Sequence, residues 1–384
     1  MYDFDHVPSR FGTNSLKWDV KEGELPMWVA DMDFPAAPEI LAAMEERLRH
    51  GVFGYSDVPE SWYDAYIDWW RSRHGFTMEK SWLIFCTGVI PAISSMVRKL
   101  TTPNEKVLIN TPVYNIFFNS IRNNGCRPLE CPLIREGKSY RMDMEAVEAA
   151  MADPQCSLMI LCNPQNPTGI IWDMDTLGQI GSLAKRYHVT VIADEIHCDI
   201  VRPGKAYIPF ASVSEECREV SVSCLAPTKT FNLAGLQTAA VSVPDPFLRH
   251  KVWRGLNTDE VAEPNAFACV AAEAAFTKGG AWLDELCAYL FENRRIAEER
   301  IRERMPRISV TEGDATYLMW LDLSALGMGS VELQRLLRER TGLYLSEGSI
   351  YGKGGEGCLR MNLACPRERV EDGLDRLESF MLGL

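Results

Sequence analysis

Lys229 stands in Ser223-Cys224-Leu225-Ala226-Pro227-Thr228-Lys229-Thr230-Phe231-Asn232, directly after an apolar, β-branched run (Val220, Val222, Leu225). An amine just past a strand end, among small hydroxyl residues, has the chemistry to hold a carbonyl cofactor as a Schiff base. A solvated loop lysine is the plain alternative. Three other segments stand out. Upstream are Asn163-Pro164-Gln165-Asn166-Pro167-Thr168-Gly169 and Ala193-Asp194-Glu195-Ile196-His197, and downstream is Leu359-Arg360-Met361-Asn362. Together they offer an amide, a carboxylate, an amine and a guanidinium, in that chain order. Asp194 closes the apolar run Val189 to Ala193. Ligands of open α/β sheets bind beyond the carboxyl ends of such strands, although aspartate there also serves as a helix N-cap. Lys229 follows Asp194 by 35 residues, room for one crossover and the next buried strand.

The elements that would position these groups alternate. Leu83 to Cys86, Lys106 to Asn110, Leu158 to Cys162, Val189 to Ala193, Val220 to Leu225 and Thr238 to Val243 are short apolar runs. Such runs suit strands buried on both faces. Helical stretches such as Asp175 to Tyr187 lie between several of them. The pattern predicts an α/β fold with an open, mostly parallel sheet wrapped by helices. Pro38 to His50 reads as an amphipathic helix, with proline in the first turn and Gly51 as the stop. Ala281 to Met305 reads as a long amphipathic helix ending at Pro306. The tail changes character, with short strands expected at Thr316 to Leu323, Leu343 to Leu345 and Gly357 to Asn362. Two units are therefore expected: a large domain over 50–285, and a smaller α+β domain over 1–49 and 286–384.

Composition narrows the function. The 384 residues are 46% hydrophobic and 24% charged, with a formal net charge of −13. No Lys/Arg cluster stands out, so neither nucleic acid nor an anionic membrane is the expected partner. No apolar run reaches the roughly 20 residues of a membrane span, and the acidic amino terminus lacks the apolar stretch of a secretory signal. The twelve cysteines are scattered, without Cys-x-x-Cys or zinc spacing. They read as reduced, mostly buried thiols of a cytoplasmic protein, and no metal is expected. No Gly-x-Gly-x-x-Gly follows an early strand, which counts against a nicotinamide-binding fold.

The ordered asparagine, aspartate, lysine and arginine resemble fold-type I pyridoxal-phosphate enzymes of the aminotransferase class I/II family, over nearly the whole chain. The resemblance implies pyridoxal 5'-phosphate bound to Lys229, with Asp194 paired to its ring nitrogen and Asn166 at its phenolic oxygen. His197 stands where many relatives carry a tyrosine, as in the cystathionine β-lyase subgroup. Thr87-Gly88-Val89-Ile90, between a strand and a helix expected from Pro91, matches a phosphate-binding turn, where Gly88, Val89 and Ile90 offer backbone N–H groups and Thr228 a hydroxyl. The same tetrapeptide also suits an ordinary βα turn. Tyr114 matches the aromatic stacked on the ring, and a packed strand-end tyrosine is its other reading. Tyr55 resembles a tyrosine given to the neighbouring subunit's phosphate, which implies a homodimer. Arg360 matches the arginine that grips a substrate carboxylate, and Ala30 would add its backbone there. Two positions depart from the common pattern: Ala226 replaces a frequent serine and Gln237 a frequent arginine.

Trp28 to Phe34, His50 to Ser56, Asp194 to His197 and Arg360 to Pro366 resemble bacterial cystathionine β-lyases of the MalY/PatB type. That resemblance implies a lyase splitting the Cβ–S bond of a sulfur amino acid such as cystathionine or cysteine, giving a thiol, pyruvate and ammonia. An aminotransferase on the same scaffold is one rival. A cofactor-binding protein with a regulatory role is another.

Overall fold

The computed structural model describes residues 2–384; Met1, the first residue of the expected small unit, lies outside them. Seven strands form the main sheet, in the order Leu83–Cys86, Ala239–Ser242, Ser221–Leu225, Thr190–Asp194, Cys156–Cys162, Lys106–Ile109, Arg127–Glu130. Pairing is parallel throughout except for Ala239–Ser242, which runs antiparallel to both neighbours. The central strands are buried along nearly their full length. That is why they read as continuous apolar runs rather than alternating ones.

Helices cover the sheet. Val89–Leu100 buries Val89, Ala92, Ile93, Met96 and Val97, side chains three and four apart on one stripe. It starts two residues earlier than the expected Pro91. Met174–Tyr187 is capped by Asp173, whose side chain accepts from Thr176 N–H, and His188 ends it in the left-handed region at φ 58°. Pro38–His50 ends at Gly51, φ 73°, where a side chain would be strained.

A second sheet of four antiparallel strands follows, in the order Ser309–Val310, Leu318–Asp322, Cys358–Asn362, Ser346–Glu347. It packs with Arg367–Leu382 and Ser330–Thr341 around Met319, Leu321, Leu359 and Met361. The amino-terminal segment joins this part, since Leu25–Pro26 pairs in parallel with Leu343–Tyr344. The helix Gly280–Arg304 runs unbroken across positions 285 and 286. No helix among the described residues is long and apolar enough to cross a membrane.

Candidate active site

The carboxyl ends of three adjacent parallel strands deliver the chemistry. Cys156–Cys162 leads into the turn carrying Asn166, Thr190–Asp194 ends on Asp194, and Ser221–Leu225 leads into the one-turn helix Pro227–Thr230 carrying Lys229. These ends open onto a cavity of about 280 Å³. Its wall contains Asn166, Asp194, His197, Thr228 and Lys229, with Gly88, Val89, Ile90, Tyr114 and Ala30 around them. Thus the expected residues of six separate segments meet in one place.

Two expected residues do not line it. Arg360 is buried at its edge, where Nη1 donates to Asn166 Oδ1 at 3.1 Å and Nη2 to the Trp28 carbonyl at 3.0 Å. Its Nε has no hydrogen-bond partner among the described residues. Tyr55 is fully exposed, beside a surface hollow shared with Phe53, Pro264 and Phe267. Ala30 presents its carbonyl, which accepts from Lys229 Nζ and from Tyr317 Oη, the latter at 3.1 Å.

Burial sets the charge states. It pushes the Asp194 carboxyl up to about 7, against the Ile196 N–H and the attraction of Lys229. Asp194 caps no helix; its Oδ1 accepts from Ile196 N–H at 3.2 Å within a turn. Burial also lowers Lys229 to about 8; Asp31 and Asp194 oppose the shift and Arg360 adds to it. His197 is driven down to about 3 by burial and then by Lys229 and Arg360. Its imidazole is therefore neutral at pH 7, and Nδ1 lacks a partner among the described residues. A buried carboxylate needs a nearby cation, and an unpaired imidazole nitrogen needs a polar partner.

Pyridoxal phosphate meets these needs. A protonated ring nitrogen suits Asp194, and a phenolic oxygen suits the polar side chains of Asn166 and His197. At the other end the helix Val89–Leu100 begins at the cavity wall, where first-turn N–H groups have no intrahelical acceptor. A Cβ at Gly88 would come within 3.2 Å of Pro91 Cδ, so glycine keeps this turn compact. No arginine lines this end of the cavity; Gln237 and Thr87 do.

The structure adds groups that sequence reasoning did not single out. Cys162, Ile196 and Ala234 line the cavity. Tyr317 is buried with its ring 6.0 Å from His197. Asp199 sits behind the site, accepting from Trp69 Nε1 at 2.9 Å and Thr230 Oγ1 at 2.8 Å, with His74 Nε2 at 2.9 Å. Burial raises Asp199, but these partners outweigh it and hold the carboxyl below its usual range. The network ties the loop after Asp194 to the residue beside Lys229. Only the position of Asp199, five residues after Asp194, hinted at it.

Known proteins are similar to this chain in sequence and fold. The family model described as aminotransferase class I and II matches residues 26–377. Cystathionine beta-lyase PatB of Bacillus subtilis (strain 168) is 41% identical, over 99% of this chain and 100% of the relative. Protein MalY of Escherichia coli (strain K12) is 33% identical, over 97% of each. Cystalysin of Treponema denticola, solved with a pyridoxal 5'-phosphate cofactor, superposes with a TM-score of 0.97 at 30% identity, covering 100% of this chain and 99% of that one. The fold is accordingly that of the fold-type I pyridoxal-phosphate enzymes. With that match over residues 26–377, and with its lysine, aspartate and asparagine in one cavity, the chain belongs to the aminotransferase class I and II family.

Proposed function

We propose that this protein is a pyridoxal-phosphate-dependent carbon–sulfur β-lyase, which splits cystathionine- or cysteine-type amino acids into a thiol, pyruvate and ammonia. The observation that carries the substrate class is the 41% identity to cystathionine beta-lyase PatB over essentially the full length of both chains. The cavity supplies the means.

The bound cofactor supplies an electron sink for the pair released from the Cα–H bond. Lys229 holds it, and its Nζ takes the Cα proton. Asp194 would face the ring nitrogen and favour its protonated form. Asn166 and His197 would hold the phenolic oxygen, and Tyr114 would cover the ring. Gly88, Val89 and Ile90 would offer backbone N–H groups to the phosphate, with the Thr228 hydroxyl beside them. Arg360, already aimed at Asn166, turns its guanidinium fork to the substrate carboxylate, near the backbone of Ala30. The Cβ–S bond then breaks with its electron pair on sulfur as a Cα–Cβ double bond forms; the thiolate picks up a proton, and the enamine, once free, is hydrolysed by water to pyruvate and ammonia.

Lyase and transaminase differ in one simple test. With cystathionine alone, a lyase releases pyruvate over many turnovers. A transaminase stops after one half-reaction until a keto acid is added. We expect sustained pyruvate release without keto acid, measured by coupled lactate dehydrogenase. Strict dependence on keto acid would overturn the lyase reading and favour the aminotransferase.

The working unit is a homodimer in this reading. Its support is the exposed apolar group Val52, Phe53 and Tyr55, an unusual surface for an isolated chain. Tyr55 would complete the partner's phosphate site. Sedimentation equilibrium should give twice the 43.3 kDa chain mass; a fully active monomer would refute the dimer. The division into a large unit over 50–285 and a small one over 1–49 and 286–384 belongs to the same proposal, with Ala30 and Arg360 reaching the site from the small unit. A cytoplasmic location is supported by the twelve cysteines, all buried and unpaired; finding the protein outside the cytoplasmic fraction would count against it.

A further inference from the structure

Arg360 is buried, yet among the described residues no carboxylate forms a salt bridge with it. Its two hydrogen bonds go to neutral acceptors, Asn166 Oδ1 and the Trp28 carbonyl, and its Nε makes none. A buried cation so sparsely compensated is costly unless something else meets it. Here an aromatic ring does. The Arg360 guanidinium carbon lies over the buried Tyr351 ring, 5.0 Å from its centroid. The negative face of a ring attracts a cation at this range.

The ring is itself held from several sides. Tyr351 ends the short turn Ser349–Tyr351, between the strands Ser346–Glu347 and Cys358–Asn362. Arg360 pairs across the sheet with Ser346 on one side and Trp320 on the other. Both of these neighbours also touch Tyr351. Ser346 Oγ is 2.9 Å from Tyr351 Oη, and the Trp320 ring meets the tyrosine ring edge-on at 5.4 Å. The Tyr351 carbonyl accepts from Val113 N–H at 3.0 Å, one residue before Tyr114 of the cavity wall. Burial raises the Tyr351 phenol, with Arg360 opposing, so the ring meets the cation as a neutral phenol.

We propose that Tyr351 is the positioning residue for Arg360: its ring is the floor that holds the guanidinium fork ready for the α-carboxylate of the amino-acid substrate. The proposal rests on the assignment of Arg360 as the carboxylate-binding arginine. An aromatic floor has a chemical advantage here. A carboxylate partner would cancel the charge and take up the N–H groups that the substrate needs. A ring face steadies the cation without neutralising it, and leaves those N–H groups free to turn to a carboxylate.

The floor acts before substrate arrives. An arginine side chain has many rotamers to lose, and affinity falls with the fraction of molecules whose fork points elsewhere. Without the ring, Arg360 would keep two hydrogen bonds to neutral groups and gain a space into which the guanidinium can settle. Tyr351 does not line the cavity that holds Asp194 and Lys229. Its loss should therefore weaken carboxylate binding while cofactor loading and proton transfer at Lys229 stay nearly intact.

The test is equilibrium binding to the cofactor-loaded, full-length protein, measured by calorimetry. Glycine carries an amine and a carboxylate but no Cβ–S bond; methylamine is the same amine without the carboxylate. In Tyr351→Leu the dissociation constant of glycine should rise roughly tenfold, within the range of a desolvated cation–π contact. That of methylamine should not change. Tyr351→Phe keeps the ring and should bind glycine nearly as wild type does. With a sulfur amino acid, KM should rise in Tyr351→Leu while kcat holds. Unmoved glycine binding in Tyr351→Leu, equal losses for glycine and methylamine, or Tyr351→Phe as weak as Tyr351→Leu overturns the proposal. If Tyr351→Leu does not fold, phenylalanine and its trifluoro and pentafluoro forms are placed at this position by codon suppression. Fluorine strips the ring face of negative charge at nearly constant size. Glycine should then bind more weakly at each step, and a flat series overturns the proposal. The readings beneath it fail differently. Arg360→Ala with unmoved glycine binding removes the carboxylate assignment, and the proposal with it. Absence of pyruvate from cystathionine overturns the lyase reading alone, with the glycine contrast still standing.

Discussion

Lys229→Ala should lose roughly 10²–10⁴-fold in kcat, the span of a well-placed proton-transfer group, and should no longer hold cofactor covalently. Borohydride reduction of the wild-type enzyme should fix the cofactor on the peptide containing Lys229 and on no other. The pH dependence follows from the charges. A lysine that takes a proton must first be neutral. An ordinary lysine is neutral only above 10.5; burial, outweighing Asp31 and Asp194, brings Lys229 to about 8. The wild-type rate should thus rise with pH through about 8 rather than through 10.5. Alanine removes this limb, so the residual activity should be flat across it. Label on another lysine, or a variant keeping a tenth of wild-type turnover, would remove Lys229 from the chemistry.

The sequence made this lysine legible for a physical reason. Strands buried on both faces must be apolar throughout, so Cys156–Cys162, Thr190–Asp194 and Ser221–Leu225 announce themselves within two residues of their ends. Polar residues at the end of such a run then point to the ligand side of the sheet, which picks out Asn166, Asp194 and Lys229. Other elements carried no comparable signal. Arg127–Glu130 holds proline and two charges, as an edge strand can, because only Lys106–Ile109 pairs with it. Ser309–Val310 and Ser346–Glu347 are two residues long, too short to show a period. Ala268–Lys278 is buried along most of its length, so it has no polar face to contrast with an apolar stripe.

The supporting shell of the site was less legible still. Nothing in the sequence near Asp31 and Asp33 announces their partners: Arg369 reaches Asp33 across 336 positions and Asn362 reaches the Asp31 carbonyl across 331. Local pattern contains nothing of such distant closures. Tyr317 falls inside the expected strand Thr316 to Leu323, whereas the strand starts at Leu318; only the fold sets its hydroxyl on the Ala30 carbonyl. Tyr55 is singled out by local resemblance, and its side chain is fully exposed.

Asp194→Ala should separate binding from chemistry. Asp194 is buried and holds no salt bridge among the described residues; burial raises its carboxyl to about 7, against the Ile196 N–H and the attraction of Lys229. Asp194 would pair with a protonated ring nitrogen placed beside it and so hold that proton in place. Without Asp194 the proposed phosphate contacts at Gly88, Val89 and Ile90 and the proposed attachment to Lys229 would remain, so the cofactor should still load, only more weakly. Proton abstraction should suffer far more, because charge developing at Cα would no longer be drawn toward a cationic ring. Loss of one well-aimed electrostatic partner in a water-excluded site typically costs roughly 10²–10³-fold. The readout is exchange of the substrate Cα hydrogen in deuterated water, followed by proton NMR, alongside cofactor content by absorbance. Arg360→Ala provides the contrast. It should leave the cofactor loaded and raise KM, with a loss of about 2–5 kcal/mol when one partner of a buried charge pair is removed. Asp194→Ala exchanging at the wild-type rate, or losing cofactor altogether while Lys229 is intact, would show that the carboxylate anchors the ring rather than tuning it.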